Sequence, residues 1–244
     1  MSNTVPILEA DQIVVKFGGV TAVNGVSLKL RPGEIVGLIG PNGAGKTTFF
    51  NALTGFVPKS SGTVQLAGRD ISNTPAFELP RLGMARTFQV ERPFEDMTVL
   101  ENVMISSFLH HPQTREAKRA ALEVLERVGL TDRSNQKCSE LNLARRRRLE
   151  VGKALALTPK VLFLDEVIAG LNPPAQAEMI EFIRQLSKTG IGIVMVEHIM
   201  KVIMTLSDHV ICMAFGEKIA EGTPTEITSN QAVIDAYLGG TDDD

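Results

Sequence analysis

Residues 7 to 39 alternate between apolar and polar positions in short stretches, with breaks at Phe17-Gly18-Gly19 and Arg31-Pro32-Gly33, so the pattern predicts a series of short strands joined by turns. Thr63-Val64-Gln65-Leu66 followed by Ala67-Gly68 predicts another, and together these strands read as an antiparallel layer beside a larger core. Between about residues 98 and 157 the period lengthens: Leu122, Leu125 and Val128 recur at helical spacing among Glu123, Glu126 and Arg127, with a turn at Gly129. Two later runs, Val161-Leu162-Phe163-Leu164 and Ile193-Val194-Met195-Val196, are apolar at every position, as parallel strands buried on both faces require. Between them Asn172-Pro173 opens a helix, Asn as N-cap and Pro in the first turn, and Met179, Ile183 and Leu186 form its apolar stripe. The expected class is α/β. With no repeat or linker in view, residues 5–87 and 158–244 are expected to form one core with its antiparallel layer, and 88–157 an inserted helical subdomain.

Composition narrows this little. A chain of 244 residues with 43% apolar and 22% charged positions is long enough for a substantial core, and its net charge of −3 gives no footprint for nucleic acid, which is not expected as a partner. Cys138 and Cys212 have neither metal-ligand nor C-x-x-C spacing and read as buried or idle thiols in a reducing compartment, the cytosol. The segment Met1-Ser2-Asn3-Thr4-Val5-Pro6 lacks a basic stretch followed by an apolar one, and no apolar run reaches the roughly 18 residues of a span. Membrane contact is therefore expected only through a partner.

The chemistry begins at Gly40-Pro41-Asn42-Gly43-Ala44-Gly45-Lys46-Thr47, a phosphate-binding loop pattern between the apolar run Ile35–Ile39 and a helix-competent stretch opening with Thr48. Glycines let successive amides face phosphate oxygens, Lys46 supplies a point charge for β- and γ-phosphates, and Thr47 offers a hydroxyl to Mg²⁺. This predicts binding of a nucleoside triphosphate. Asp165 and Glu166 close the run Leu162-Phe163-Leu164, at the strand end where open α/β sheets place ligands. Alone they read equally as a strand reaching the surface; beside the phosphate loop, Asp165 reads as a Mg²⁺ ligand and Glu166 as the group that orients or deprotonates the attacking water. His198, two residues after Val196, is placed to reach the same sheet edge and a γ-phosphate oxygen. Gln89 in Arg86-Thr87-Phe88-Gln89 carries little signal by itself.

Taken in order, the phosphate loop, Gln89, the helical insertion, Leu162 to Glu166, Ala169-Gly170-Leu171-Asn172 and His198 resemble the ATP-binding subunits of ABC transporters over nearly the whole chain. The stretches "KFGGVTAVNGVSL", "GPNGAGKTTFFNALTG", "ARTFQ", "MTVLENV", "RRLEVGKALAL", "AGLNP" and "GEKIAEGTPTEI" are most similar to the ATPases of branched-chain amino acid importers. The resemblance implies a P-loop (RecA-like) nucleotide-binding core and hydrolysis of ATP with Mg²⁺. It implies a homodimer or heterodimer of such subunits around two ATP molecules, attached to integral membrane permease subunits and served by a separate solute-binding protein. The protein would then be cytoplasmic and peripheral on the inner face of the cell membrane. The alternative is a soluble ATPase of the same type acting as a regulatory switch.

By position, the resemblance implies that Phe17 stacks on adenine, that Gly40 to Thr48 hold the phosphates, and that Gln89 senses Mg²⁺, water and permease. It makes Asp165, Glu166 and His198 the metal-binding Asp, the catalytic Glu and the switch His. Phe17 also reads as a core aromatic beside a turn, and Asn172 both as a dimer contact and as a simple helix cap. One motif departs from the family. The signature, usually Leu-Ser-Gly-Gly-Gln, reads Leu141-Asn142-Leu143-Ala144-Arg145, which keeps the leucine and a good N-cap but replaces both glycines and places a charge where the family has an amide. Arg146 to Arg148 read either as the basic start of this helix or as a solvated face. Val167 stands where relatives commonly carry proline.

Overall fold

The computed structural model describes residues 5–88 and 93–238. Strands β1 (Leu8–Phe17), β2 (Val20–Leu30) and β3 (Ile35–Ile39) are followed by helix α1 (Lys46–Leu53), β4 (Ser61–Leu66), β5 (Arg69–Asp70), α2 (Leu79–Leu82) and β6 (Met84–Arg86). Helices α3 (Val99–Ser107), α4 (Thr114–Arg127) and α5 (Leu143–Leu155) come next. They precede β7 (Val161–Asp165), α6 (Pro173–Lys188), β8 (Gly192–Val196), α7 (Met200–Leu206), β9 (His209–Ala214), β10 (Glu217–Gly222), α8 (Pro224–Thr228) and α9 (Gln231–Leu238).

The strands divide between two sheets. One is antiparallel, in the order β2-β1-β4-β5, and the other runs β10-β9-β3-β8-β7-β6, parallel except where β10 returns along β9. The turns expected at Gly18-Gly19 and Pro32-Gly33 are where β1 hands over to β2 and β2 to β3. Every residue of β3, β7 and β8 is buried. Alternation then sorts their side chains: Val36, Leu38, Phe163, Val194 and Val196 pack under the antiparallel sheet and α1, while Ile35, Leu162, Leu164, Ile193 and Met195 face the helices on the other side.

The helical stretch differs from its sequence reading in one respect. On α4 the buried stripe is Ala117, Ala121, Val124 and Leu125, continued by Val128, whereas Leu122 is on the exposed side. Leu122 lies one step round the helix from Ala121, so the small alanines, not the larger leucine, face the core. Asn172 caps α6 as expected, its Oδ1 accepting the Ala175 N–H at 3.1 Å, and Met179, Ile183 and Leu186 are buried. Both cysteines are free and buried, and burial pushes each thiol up to about 11. No helix among the described residues is long and apolar enough to cross a membrane.

Glu197 follows β8 and is only 3% exposed. Its Oε1 accepts the Ile168 N–H at 2.9 Å, tying the loop after β7 to the end of β8, while Oε2 has no hydrogen-bond partner among the described residues. Burial pushes this carboxyl up to about 7, against the pull of the Ile168 N–H and Arg147 and with a further push from Glu166 and Asp165. A carboxyl raised in the folded state contributes its full stability below the unfolded value of about 4.5 and loses it as pH rises through about 7. Glu197→Gln keeps the acceptor and removes the charge. The nucleotide-free variant should gain on the order of 3 kcal/mol of unfolding free energy at pH 8 and well under half of that at pH 5. Denaturant titrations at the two pH values check this, and equal changes at both would rule it out.

Candidate functional site

The loop after β3 is shaped by close backbone approach. Gly40 has φ 148°, and a Cβ there would lie 2.1 Å from the Met213 carbonyl oxygen; Gly45 has φ 93°, and its Cβ would lie 2.4 Å from that of Ala22. Only glycine fits either position. Lys46, the first residue of α1, folds back over the loop and donates from Nζ to the carbonyls of Gly40 at 2.7 Å and Pro41 at 2.9 Å. Helix α1 starts with no side-chain cap and no acid in its first turn, so its N-terminal amides are left to an anion. Burial pulls Lys46 below its usual range, and Glu166 opposes that pull.

A cleft of about 620 Å³ opens in front of this helix start. Asn42 to Thr48 line one side, Glu166 and His198 another, and Val20, Thr21, Ala22 and Phe215 its remaining edge. Its volume and the helix N-terminus suit a nucleotide. Glu166 is held in a left-handed conformation, φ 49°, with its N–H donating to the Val196 carbonyl at 3.0 Å. Such a residue costs roughly 1 kcal/mol or more and persists where its surroundings hold it. Its Oε1 meets His198 Nε2 at 2.5 Å, so the ends of β7 and β8 are joined by the two side chains expected to act on the γ-phosphate.

Asp165 sits behind Glu166 as the last residue of β7. Its N–H donates to Thr87 Oγ1 at 3.0 Å and its Oδ2 accepts from Arg86 Nη2 at 3.3 Å. Burial raises this carboxyl above the usual range and Arg86 pulls it back; burial likewise lowers Arg86, with Asp165 opposing. An acceptor set made of the Thr47 hydroxyl and the Asp165 carboxylate is the oxygen chemistry that suits Mg²⁺ shared with phosphate.

The other sequence-predicted residues lie elsewhere. Gln89 falls outside the described residues. Gly40 and Pro41 shape the loop without lining the cleft. Phe17, 51% exposed, pairs with the cleft residue Val20 across the hairpin and is not itself in the lining. Leu141 to Arg145 start α5, where Asn142 Oδ1 accepts the Arg145 N–H at 3.0 Å and completes the cap. The arginines that follow are not a solvated face. Arg146 donates to the carbonyls of Leu141 and Ser139, both at 3.0 Å, and Arg148 donates to Glu178 and to the Val128 carbonyl.

Several residues at the site carried no signal in the sequence. Tyr237 on α9 accepts the Gly40 N–H at 2.9 Å, so the far end of the chain clasps the phosphate loop. Phe215 stands 92% exposed at the cleft edge with φ 51°. Arg86 and Glu197 are the others, each defined only by what it meets across the fold.

Comparison with known proteins agrees with this geometry. The ABC transporter family matches residues 23–169, and the branched-chain amino acid ATP-binding cassette transporter family matches residues 217–243. The high-affinity branched-chain amino acid transport ATP-binding protein BraF of Pseudomonas aeruginosa is 40% identical over 96% of this chain and 98% of its own length. LivG, the protein of the same description in Escherichia coli K12, is 41% identical over the same shares. Among solved structures, the ADP conformation of an ATP-binding cassette of an ABC transporter superposes with a TM-score of 0.88 at 32% identity, covering 97% of this chain and 100% of that one. A nucleotide-free cassette from an ABC transporter gives 0.87 at 31% identity, covering 96% and 99%. The chain belongs to the ATP-binding proteins of ABC transporters and is a transport ATPase of that type.

Proposed function

We propose that this chain is the ATP-hydrolysing subunit of an importer for branched-chain amino acids or related small polar solutes, working on the cytoplasmic face of a membrane. The observation that carries the proposal is the single cleft in which Lys46, Thr47, Glu166 and His198 meet, in a chain about 40% identical to branched-chain amino acid transport proteins along nearly all its length. Relatives described as transport proteins leave the soluble-switch alternative without support. Residues 5–87 and 158–244 would form the nucleotide core, with 88–157 as the inserted helical part. Two such subunits, identical or different, would close on two ATP molecules and pull on integral membrane permease subunits, with a separate binding protein delivering solute.

In this reading the amides at the start of α1 and Lys46 bind the phosphates, and Phe17 stacks on adenine. Thr47 and Asp165 would hold Mg²⁺, which would supply positive charge against the phosphates, and Gln89 keeps the sensing role that the resemblance implies. Glu166 orients a water and accepts its proton as the oxygen attacks γ-phosphorus and the bond to the bridging oxygen breaks. His198 fixes the Glu166 carboxylate through their 2.5 Å contact. Leu141 to Arg145 face the partner's nucleotide, with the start of α5 directed at its γ-phosphate, and Asn172 contacts the partner. Replacing the signature glycines weakens close backbone approach, and Arg145 offsets this with a positive charge.

Two outcomes test these roles. Lys46→Ala should mainly weaken ATP binding. Glu166→Gln should retain it while hydrolysis falls by about 10²- to 10⁴-fold, and should accumulate ATP-bound dimer on size-exclusion chromatography. Equal loss of binding in both variants contradicts the assignment. With permeases and binding protein reconstituted in proteoliposomes, leucine, isoleucine or valine should stimulate ATPase activity; stimulation by urea or short amides and not by these would move the solute elsewhere.

A further inference from the structure

Arg86 ends β6 within the stretch "ARTFQ", three residues before Gln89, and the sequence gives it no role of its own. Its guanidinium carbon lies 4.8 Å from the ring centre of Phe50, 4.8 Å from that of Phe56 and 4.7 Å from that of Phe88. Nη1 donates to Asn51 Oδ1 at 2.7 Å and Thr54 Oγ1 at 3.0 Å, and Nε to the Thr87 carbonyl at 3.2 Å. Rings and acceptors thus fix the planar fork. The remaining nitrogen, Nη2, points at Asp165 Oδ2.

Both side chains are 9% exposed. A buried ion pair is a weak source of stability, because desolvating two charges offsets their attraction. At 3.3 Å the contact is also longer than the roughly 2.7–2.9 Å of a strong charge-assisted hydrogen bond. The short contacts go to Asn51 and Thr54, so the position of Arg86 is set by α1 and the aromatic rings, and Asp165 is oriented by it.

We infer that Arg86 is a positioning residue for the Asp165 carboxylate, fixing the orientation in which that carboxylate meets a divalent cation. The inference rests on the proposed reading of Asp165 as a metal ligand. Three rings and three acceptors hold Arg86 in place, so its hydrogen bond to Oδ2 restricts rotation of the carboxylate. The arrangement also links the surface to the site. Phe56 and Phe88 meet edge to face 5.5 Å apart and are half exposed, and one side chain connects that pair to Asp165.

The test uses the full chain with stoichiometric ATP and follows Mn²⁺ binding by electron paramagnetic resonance, alongside ATP binding in EDTA. In Arg86→Gln the half-saturating Mn²⁺ concentration should rise about tenfold, the size usual for loss of a residue that orients a metal ligand, while metal-free ATP binding stays unchanged. Arg86→Lys, which keeps the charge without the fork, should fall between. Asn51→Ala, which loosens Nη1 and leaves both buried charges in place, should shift the same way by a smaller factor. An unchanged Mn²⁺ half-saturation in Arg86→Gln overturns the inference, and so does parallel loss of Mn²⁺ binding and metal-free ATP binding in all three variants. Asp165→Asn separates the two levels: if it leaves Mn²⁺ binding intact, the reading of Asp165 itself has failed.

Discussion

Burial of β3, β7 and β8 on both faces is the constraint on which the site depends. A parallel strand covered on both sides has to be reached by a crossover, so the loops that leave the C-terminal ends of these strands gather along one edge. The phosphate loop, the Asp165-Glu166 pair and His198 are those loops. The packing beneath them also sets their spacing. Phe50 on α1 meets Phe163 on β7 edge to face at 5.0 Å, both fully buried. Phe50 is one helical turn beyond Lys46, and Phe163 is two residues before Asp165. Each such ring contributes on the order of 1.5–3 kcal/mol by burial, so the contact that stabilises the core also fixes the distance between the phosphate-binding helix and the acidic strand end.

At the edge itself the backbone is held in conformations that ordinary residues avoid. Gly40 and Gly45 pass so close to Met213 and Ala22 that no side chain fits, and Glu166 adopts a positive φ although it has one. The surroundings that hold Glu166 are named: the Val196 carbonyl takes its N–H, His198 takes its carboxylate, and Glu197 pins Ile168 two residues on. Adjacent residues of β8 and its end therefore shape the loop after β7. The loop's path is set by its neighbour strand, and Val167, buried in that loop, leaves the carboxylates in place.

What the sequence made legible was local. Runs apolar at every position gave β7 and β8, Asn-Pro gave the start of α6, and glycine spacing gave the phosphate loop, because each signal is written within a few residues. The alanine-rich stripe of α4 was misread because periodicity weights large residues, and small ones filled the interface. Arg86, Glu197 and Tyr237 were invisible for a different reason. Their partners lie 79, 29 and 197 residues away, and no pattern near any of them encodes the meeting. Arg146 and Arg148 carry the same lesson in reverse, since a charge run that can read as solvent-facing is spent on carbonyls and on Glu178.

The start of α5, proposed above to face the partner's nucleotide, follows the same logic. A helix N-terminus attracts phosphate through amides that no side chain has satisfied, and Asn142 satisfies one of them, that of Arg145, at 3.0 Å. The amides of Leu143 and Ala144 come before it in the first turn and take nothing from this cap. Arg146 meanwhile holds the carbonyls of Leu141 and Ser139, which fixes the entry to the helix from outside. Where the resemblance leads one to expect glycine, Leu143 presents a side chain that is 41% exposed at the helix start. What Arg145 added is charge, which acts over a longer reach than an amide dipole. The start of α5 therefore keeps two amides free of the Asn142 cap and sets the Arg145 side chain beside them.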